Sequence, residues 1–178
     1  MKVLYLLRHA KSSWSDGSLP DHDRPLGPRG KKATRALVRH LAGTGAEPAL
    51  VLCSTALRAR QTLDGVLPAL GAEVDVWYED SLYGASDDEL LARLRKLPPA
   101  VPSAMVVGHN PGLADLAVEL VGGGDEAALA RLHTKFPAGA LASLGGIESW
   151  QALGPGAASL TGFVVPRDLG TGQTGSQR

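Results

Sequence analysis

Arginine, histidine and hydroxyl side chains recur where short apolar runs of this sequence stop. Arg8-His9 follows residues 3–7, Ser54 and Arg58 follow residues 49–53, and His109-Asn110 follows residues 104–107. A neutral imidazole attacks phosphorus through a free ring lone pair, while its other nitrogen keeps a proton by donating it to a backbone carbonyl. Arginine supplies planar, bidentate donors and a permanent charge for the non-bridging oxygens. A second histidine can donate to those oxygens, and helix N-termini near Thr55 and Pro111 would add backbone N–H groups. Phosphoryl transfer asks for little beyond such positioning and charge neutralisation. No carboxylates stand at metal-ligand spacing in these motifs, so the expected chemistry uses neither metal nor cofactor.

The elements that must carry these residues alternate in type. Residues 3–7 read as a buried strand. After a polar, Pro-containing loop (residues 12–28), residues 29–42 place Ala33, Ala36, Leu37, His40 and Leu41 at helical spacing, and Gly43-Thr-Gly45 stops them. A second strand, residues 49–53, leads to a helix capped by Ser54 or Thr55 and ended by Pro68. Residues 74–77 form a short third strand. Ser86-Asp-Asp-Glu89 reads as a capping box opening a helix to about Lys96.

The fourth strand is residues 104–107. Pro111 suits the first turn of a helix reaching Val121, which Gly122-Gly-Gly124 ends, and a short helical stretch follows. Residues 140–144 and 149–153 read as strands around a Gly145-Gly146 turn, with another near residues 163–165. From Leu169 onward the Gly/Thr/Gln/Ser composition predicts a disordered tail, leaving one domain over residues 1–168. Strand–helix alternation of this kind predicts a three-layer α/β/α sandwich on a mixed, mostly parallel sheet. Ligands of such folds sit beyond the carboxyl ends of the strands, where the basic residues cluster.

Bulk composition sets bounds. With 178 residues and 4% aromatics, one core must be built from Leu, Val and Ala. Eighteen basic residues balance eighteen acidic ones, which points to neither nucleic acid nor an anionic membrane. A single cysteine, Cys53, excludes an internal disulfide and a Cys-based zinc cluster. No apolar run reaches membrane-spanning length, so a cytoplasmic monomer is expected.

Four ordered blocks carry a resemblance. Residues 7–14, L-R-H-A-K-S-S-W, are similar to the RHG/RHA signature of the histidine phosphatase superfamily, the phosphoglycerate mutase-like proteins. The variant resembles the small SixA-type phosphohistidine phosphatases more than the mutases. Asp23-Arg24-Pro25-Leu26 with Arg29-Gly30 resembles the D-R-P-L-x-x-x-G loop. Residues 54–62 match S-x-x-x-R-A-x-Q-T, and Val107-Gly108-His109-Asn110-Pro111 matches the second histidine motif.

The resemblance implies that His9 accepts the phosphoryl group and that Arg8, Arg58 and His109 bind its oxygens. Arg24, the Asn110 backbone and Ser12 join as substrate-binding groups. Asp80, three residues before Tyr83-Gly84, stands at the spacing of the larger members' proton donor, with Glu79 beside it. The small phosphohistidine phosphatases lack an obvious counterpart. Without motif context, Asp21, Asp23 and Arg24 read as a surface ion-pair cluster, Arg29 as the exposed side of a helix, and His40 as partly buried packing.

The expected reaction is two-step hydrolysis through phospho-His9. With no long lid segments, phosphohistidine on a signalling or phosphorelay protein is the first substrate, and a small phosphate monoester the second. A phosphate-binding module without turnover would have no need of the nucleophile.

Overall fold

The computed structural model describes residues 1–170. Seven strands form one sheet: β1 (Lys2–Arg8), β2 (Leu50–Ser54), β3 (Asp75–Glu79), β4 (Ser103–Gly108), β5 (Val121–Gly124), β6 (Leu141–Ile147) and β7 (Ala158–Val164). Their order is β3-β2-β4-β1-β6-β7-β5. All pairs are parallel except β1 with β6 and β6 with β7. The helices are α1 (Pro28–Thr44), α2 (Leu57–Val66), α3 (Asp87–Arg95), α4 (Gly112–Leu120), α5 (Glu126–Thr134) and α6 (Pro166–Gly170).

The central strands are apolar on both sides because helices cover both faces. Leu4, Leu6, Leu50, Leu52, Ala104 and Val106 pack with residues of α3, α4 and α5. Their alternating neighbours Leu7, Val51, Cys53, Met105 and Val107 pack against α1 and α2. The fold is the three-layer sandwich that the alternation predicts. Burial leaves the Cys53 thiol pushed up to about 12, a packing group rather than a nucleophile.

Helix ends follow local chemistry. The capping box at α3 is formed: Ser86 accepts the Glu89 N–H, and the Glu89 carboxylate takes the Ser86 N–H. The first long helix runs through Gly43 and stops at Gly45, whose φ of 69° is the left-handed C-cap conformation. Neither Ser54 nor Thr55 caps α2, which begins after Ala56 without a side-chain cap. Pro111 precedes α4 as its N-cap residue.

The carboxyl-terminal third departs most from expectation. Gly122-Gly-Gly124 ends α4 yet belongs to β5, paired with β7. A Cβ on Gly124 would lie 2.3 Å from the Leu160 carbonyl oxygen, and its φ is 136°, so only glycine fits this edge. Residues 149–153 are a turn, not a strand. Trp150 is fully buried there and donates its indole N–H to the Val101 carbonyl, 2.8 Å away. Gly145 and Gly146 lie inside β6. Of the expected tail, Leu169 and Gly170 belong to α6, and residues 171–178 lie outside the described residues.

Candidate active site

Strand register brings the two histidines together. Arg8 of β1 pairs with Gly108 of β4 in parallel register, so His9 and His109 leave the sheet side by side. Their ring centroids are 5.1 Å apart. On the far side of β4, Cys53 of β2 pairs with Val107, which sets Ser54 beside His109. The Ser54 hydroxyl lies 2.8 Å from His109 Nε2 and also accepts the Ala56 N–H.

Backbone contacts fix His9 in place. Its N–H donates to the Gly108 carbonyl (3.0 Å), and its own carbonyl accepts from Gly139 N–H (2.9 Å). The ring Nδ1 lies 2.7 Å from the Ala10 carbonyl. A carbonyl only accepts, so Nδ1 carries the proton and the Nε2 lone pair is free. Burial, joined by Arg58, Arg8 and Arg24, outweighs the Ala10 bond and lowers the His9 pKa to about 4. Burial, then His9 and Arg58, lowers that of His109 to about 3. Both rings are therefore neutral at pH 7.

Three arginines converge on this point, each held by the protein. Arg8 Nη1 donates to the Phe136 carbonyl (3.1 Å), which also accepts from the Asn110 amide (2.8 Å). Arg24 donates Nε to the Ser13 carbonyl (3.1 Å), Nη1 to Asp21 (2.8 Å) and Nη2 to the Ser12 hydroxyl. Its guanidinium stacks 3.2 Å above the Trp14 ring. Arg58 donates Nη1 to the Asp21 carbonyl (2.7 Å) and Nη2 to its carboxylate (2.9 Å).

Asp21 thus binds two arginines, and the Tyr83 hydroxyl donates to the same carboxylate at 2.5 Å. The phenol bond, followed by the two guanidinium bonds, holds this carboxyl well below the usual carboxylate range. Asp21 is ionised and, among the described residues, is the single acid lining a cleft of about 630 Å³. That cleft also exposes Arg8, His9, Ser12, Arg24, Arg58, His109 and Asn110. Arg8 Nε and His109 Nδ1 are buried there without a hydrogen-bond partner among the described residues. If Ser54 donates to His109 Nε2, Nδ1 carries hydrogen as well, and both atoms become donors suited to an oxyanion.

The sequence blocks are also bonded to one another. Thr62 Oγ1 accepts the Ala10 N–H (2.9 Å) and donates to the Arg58 carbonyl (2.7 Å). Gln61 Oε1 accepts the Leu26 N–H (2.8 Å), and Gly27 N–H donates to the Lys11 carbonyl (3.0 Å). A Cβ on Gly30 would lie 2.2 Å from the Lys11 oxygen, so glycine lets α1 close onto the His9 loop.

Two expected acids are not brought to the cleft. The Asp80 carboxylate accepts from the Thr55 hydroxyl at 2.6 Å, outside the residues lining the cleft. Glu79 is engaged by Arg93 through two bonds of 2.8 Å. Asp21, which reads from the sequence as surface, and Arg29, which reads as a solvated helix face, both line the cleft, as do Trp14 and Lys135. Trp14 stands inside the L-R-H-A-K-S-S-W signature, whereas Asp21, three residues before Arg24, has a pattern shared by solvated surfaces. The Phe136 carbonyl left no signal, because any residue can provide one.

The family model of the histidine phosphatase superfamily (branch 1) matches residues 4–82. An uncharacterised protein of Mycobacterium tuberculosis is 39% identical over 163 residues, covering 90% of this chain and 100% of the relative. A solved structure described as a putative phosphohistidine phosphatase, SixA from Nakamurella multipartitia, is 33% identical. It superposes with a TM-score of 0.80 over 93% of this chain and 96% of that one. A protein histidine phosphatase SixA complexed with tungstate is 25% identical, with a TM-score of 0.74 over 94% and 99% of the two chains.

Proposed function

The chain belongs to the histidine phosphatase superfamily and is a phosphatase, and from that premise we propose that it dephosphorylates phosphohistidine on a signalling or phosphorelay protein through a phospho-His9 intermediate. The observation that carries this reading is the His9–Ala10 contact of 2.7 Å, which fixes the proton on Nδ1 and leaves Nε2 as the nucleophile. In the first step Nε2 attacks phosphorus, the P–N bond to the substrate imidazole breaks, and its electron pair stays on the leaving nitrogen, so that a substrate ring carrying a proton on its other nitrogen departs as neutral imidazole. In the second step water attacks phospho-His9, inorganic phosphate leaves, and Nε2 recovers its lone pair. Arg8, Arg24, Arg58 and His109 bind the three equatorial oxygens, whose charge needs stabilising as the bonds exchange.

The surroundings of the proposed nucleophile support this substrate class. The one acid in the cleft, Asp21, is held ionised and has no proton to give at pH 7. An alkoxide leaving group would require such a proton. An imidazole, which titrates near ~6.5, departs with less assistance. The tungstate bound by a SixA relative is a phosphoryl mimic, in keeping with an oxyanion pocket here. The donor set is mostly cationic and poor in carboxylates, so the reaction is proposed to run without metal. No helix among the described residues is long and apolar enough to cross a membrane. A phosphorelay substrate would put this enzyme in the cytoplasm, acting as a monomer.

The test is a ranking of kcat/KM for a phosphohistidine protein, an aryl phosphate and an alkyl phosphate, with and without EDTA. The phosphohistidine protein is expected to rank first and EDTA to change nothing. A faster alkyl ester would move the assignment to metabolite phosphatase. Loss on chelation with recovery on adding Mg²⁺ would overturn the metal-free reaction.

A further inference from the structure

A second cleft, of about 530 Å³, adjoins the catalytic one. Lys135, Pro137, Ala138 and Pro166 line both, so the two open into each other along the carboxyl end of α5 and the start of α6. Among the described residues no histidine lines the second cleft, and its volume lies within the ~300–1,000 Å³ typical of ligand sites. Its wall is apolar at Phe163 and Val165, flanked by Ala130 and the two prolines. Phe163 is supported edge-on by Phe136, centroids 5.2 Å apart, and capped by the Arg131 guanidinium at 5.9 Å. Arg131 itself pairs with Asp168. The same Phe136 offers its carbonyl to Arg8 and Asn110, so one residue supports both clefts.

The charges along this path are one-sided although the chain is neutral overall. Among the described residues Asp21 and Asp168 are the two acids lining either cleft, and each is already paired with arginine. Lys135 sits at the junction, exposed, with no ion pair to an acid among the described residues. A phosphoryl group fills only the space before His9. A phosphohistidine side chain, however, projects from a polypeptide that must cross the rim. Continuity between the clefts offers that polypeptide an apolar resting place next to a lysine.

We infer that the second cleft seats the polypeptide flanking the phosphohistidine of a protein substrate, an acidic segment with an apolar side chain set against Phe163 and Val165. This rests on the phosphohistidine-protein reading above. Its energetic role is in substrate binding, remote from the reacting atoms, so it acts on KM for a protein and not on chemistry shared with small substrates.

Ala130 is exposed and lies outside the catalytic cleft, so charges placed there leave the catalytic groups alone. The experiment measures kcat and KM of the full-length protein and of Ala130→Glu and Ala130→Lys, on one acidic phosphohistidine protein and on free N-phosphohistidine. Ala130→Glu is expected to raise KM for the protein about 10-fold, equivalent to about 1.4 kcal/mol, and Ala130→Lys to lower it. Both should leave kcat/KM for free phosphohistidine within about 2-fold, as uniform-binding changes remote from the chemistry do. Opposite signs from one position are not a signature of misfolding. Equal changes on the two substrates, or a KM for the protein indifferent to both variants, would overturn the inference while leaving the phosphatase reading intact. A wild type that hydrolyses phosphate esters and no phosphohistidine protein would instead overturn that reading. Sedimentation showing a dimer that Ala130→Glu dissociates would assign the groove to a second copy of the chain and overturn the inference too.

Discussion

Asp21 meets Arg58 twice, through its carbonyl oxygen at 2.7 Å and through its carboxylate at 2.9 Å. The other carboxylate oxygen takes Arg24 at 2.8 Å, so one short loop residue orients two guanidinium groups over the cleft. Asp21→Asn removes the charge and turns an amide N–H toward one side of a carboxylate position that three donors share, Arg24, Arg58 and the Tyr83 hydroxyl. About a 10-fold fall in kcat/KM is expected, a discounted value for a half-exposed carboxylate whose charged hydrogen bonds would contribute more if buried. Steady-state kinetics on any substrate reads this out. Unchanged kinetics would mean that Ser12, Ser13 and the Asp21 carbonyl hold the arginines without the carboxylate.

Proton inventory sets the pH profile. Burial keeps His9 neutral down to about pH 4 and His109 to about 3, so kcat/KM is expected to hold through pH 6.5 and fall only as pH approaches 4. Stability moves in the same direction. An unfolded histidine protonates near ~6.5 while the folded ones stay neutral, so stability is complete above that pH and is lost as pH drops toward about 4. An acid limb centred near 6.5 in the free enzyme, on a substrate that does not itself titrate there, would contradict the buried, neutral nucleophile.

Much of this site was legible because its residues stand at strand ends. Arg8-His9 and His109 follow apolar runs, and parallel register of β1 with β4 turns sequence position into spatial contact. The α3 capping box was readable for the same local reason. Asp21 was not, because an acid three residues before an arginine has the same pattern on a solvated surface as in a cleft. Asp80 was a candidate by spacing alone, which says nothing of the Thr55 hydroxyl it accepts from. β5 hid in glycines, which carry no apolar period, and Trp150 mimicked a strand with one deeply buried ring.

Position 58 separates charge from geometry. Arg58→Ala should damage every substrate alike, by about 100-fold or more in kcat, since the proposed reaction has it bind oxygens that all of them share. Arg58→Lys restores the charge without the two parallel donors that meet Asp21, so partial recovery is expected. Single-turnover rates on an aryl ester and a phosphohistidine protein test this. A loss confined to one substrate would mean that Arg58 recognises the leaving group instead.

The displaced acids give a sharper contrast. Asp80→Asn and Glu79→Gln should each lower phosphohistidine hydrolysis by less than about 3-fold, far below the ~10²–10⁴-fold of a lost acid catalyst. Glu79→Gln additionally weakens the two bonds from Arg93 that tie β3 to α3, a small loss of thermal stability that a melting curve detects. A 100-fold collapse in Asp80→Asn would require Asp80 to enter the cleft during turnover.

The central claim is covalent transfer to His9, and the direct measurement is the phosphoenzyme itself. Full-length protein mixed rapidly with labelled substrate and quenched in base should carry label that is stable to alkali, lost in acid, and mapped to His9. His9→Ala should carry none and retain no more than a few per cent of wild-type kcat, as expected on loss of a nucleophile. Label on another residue, or undiminished turnover by His9→Ala, would contradict the account.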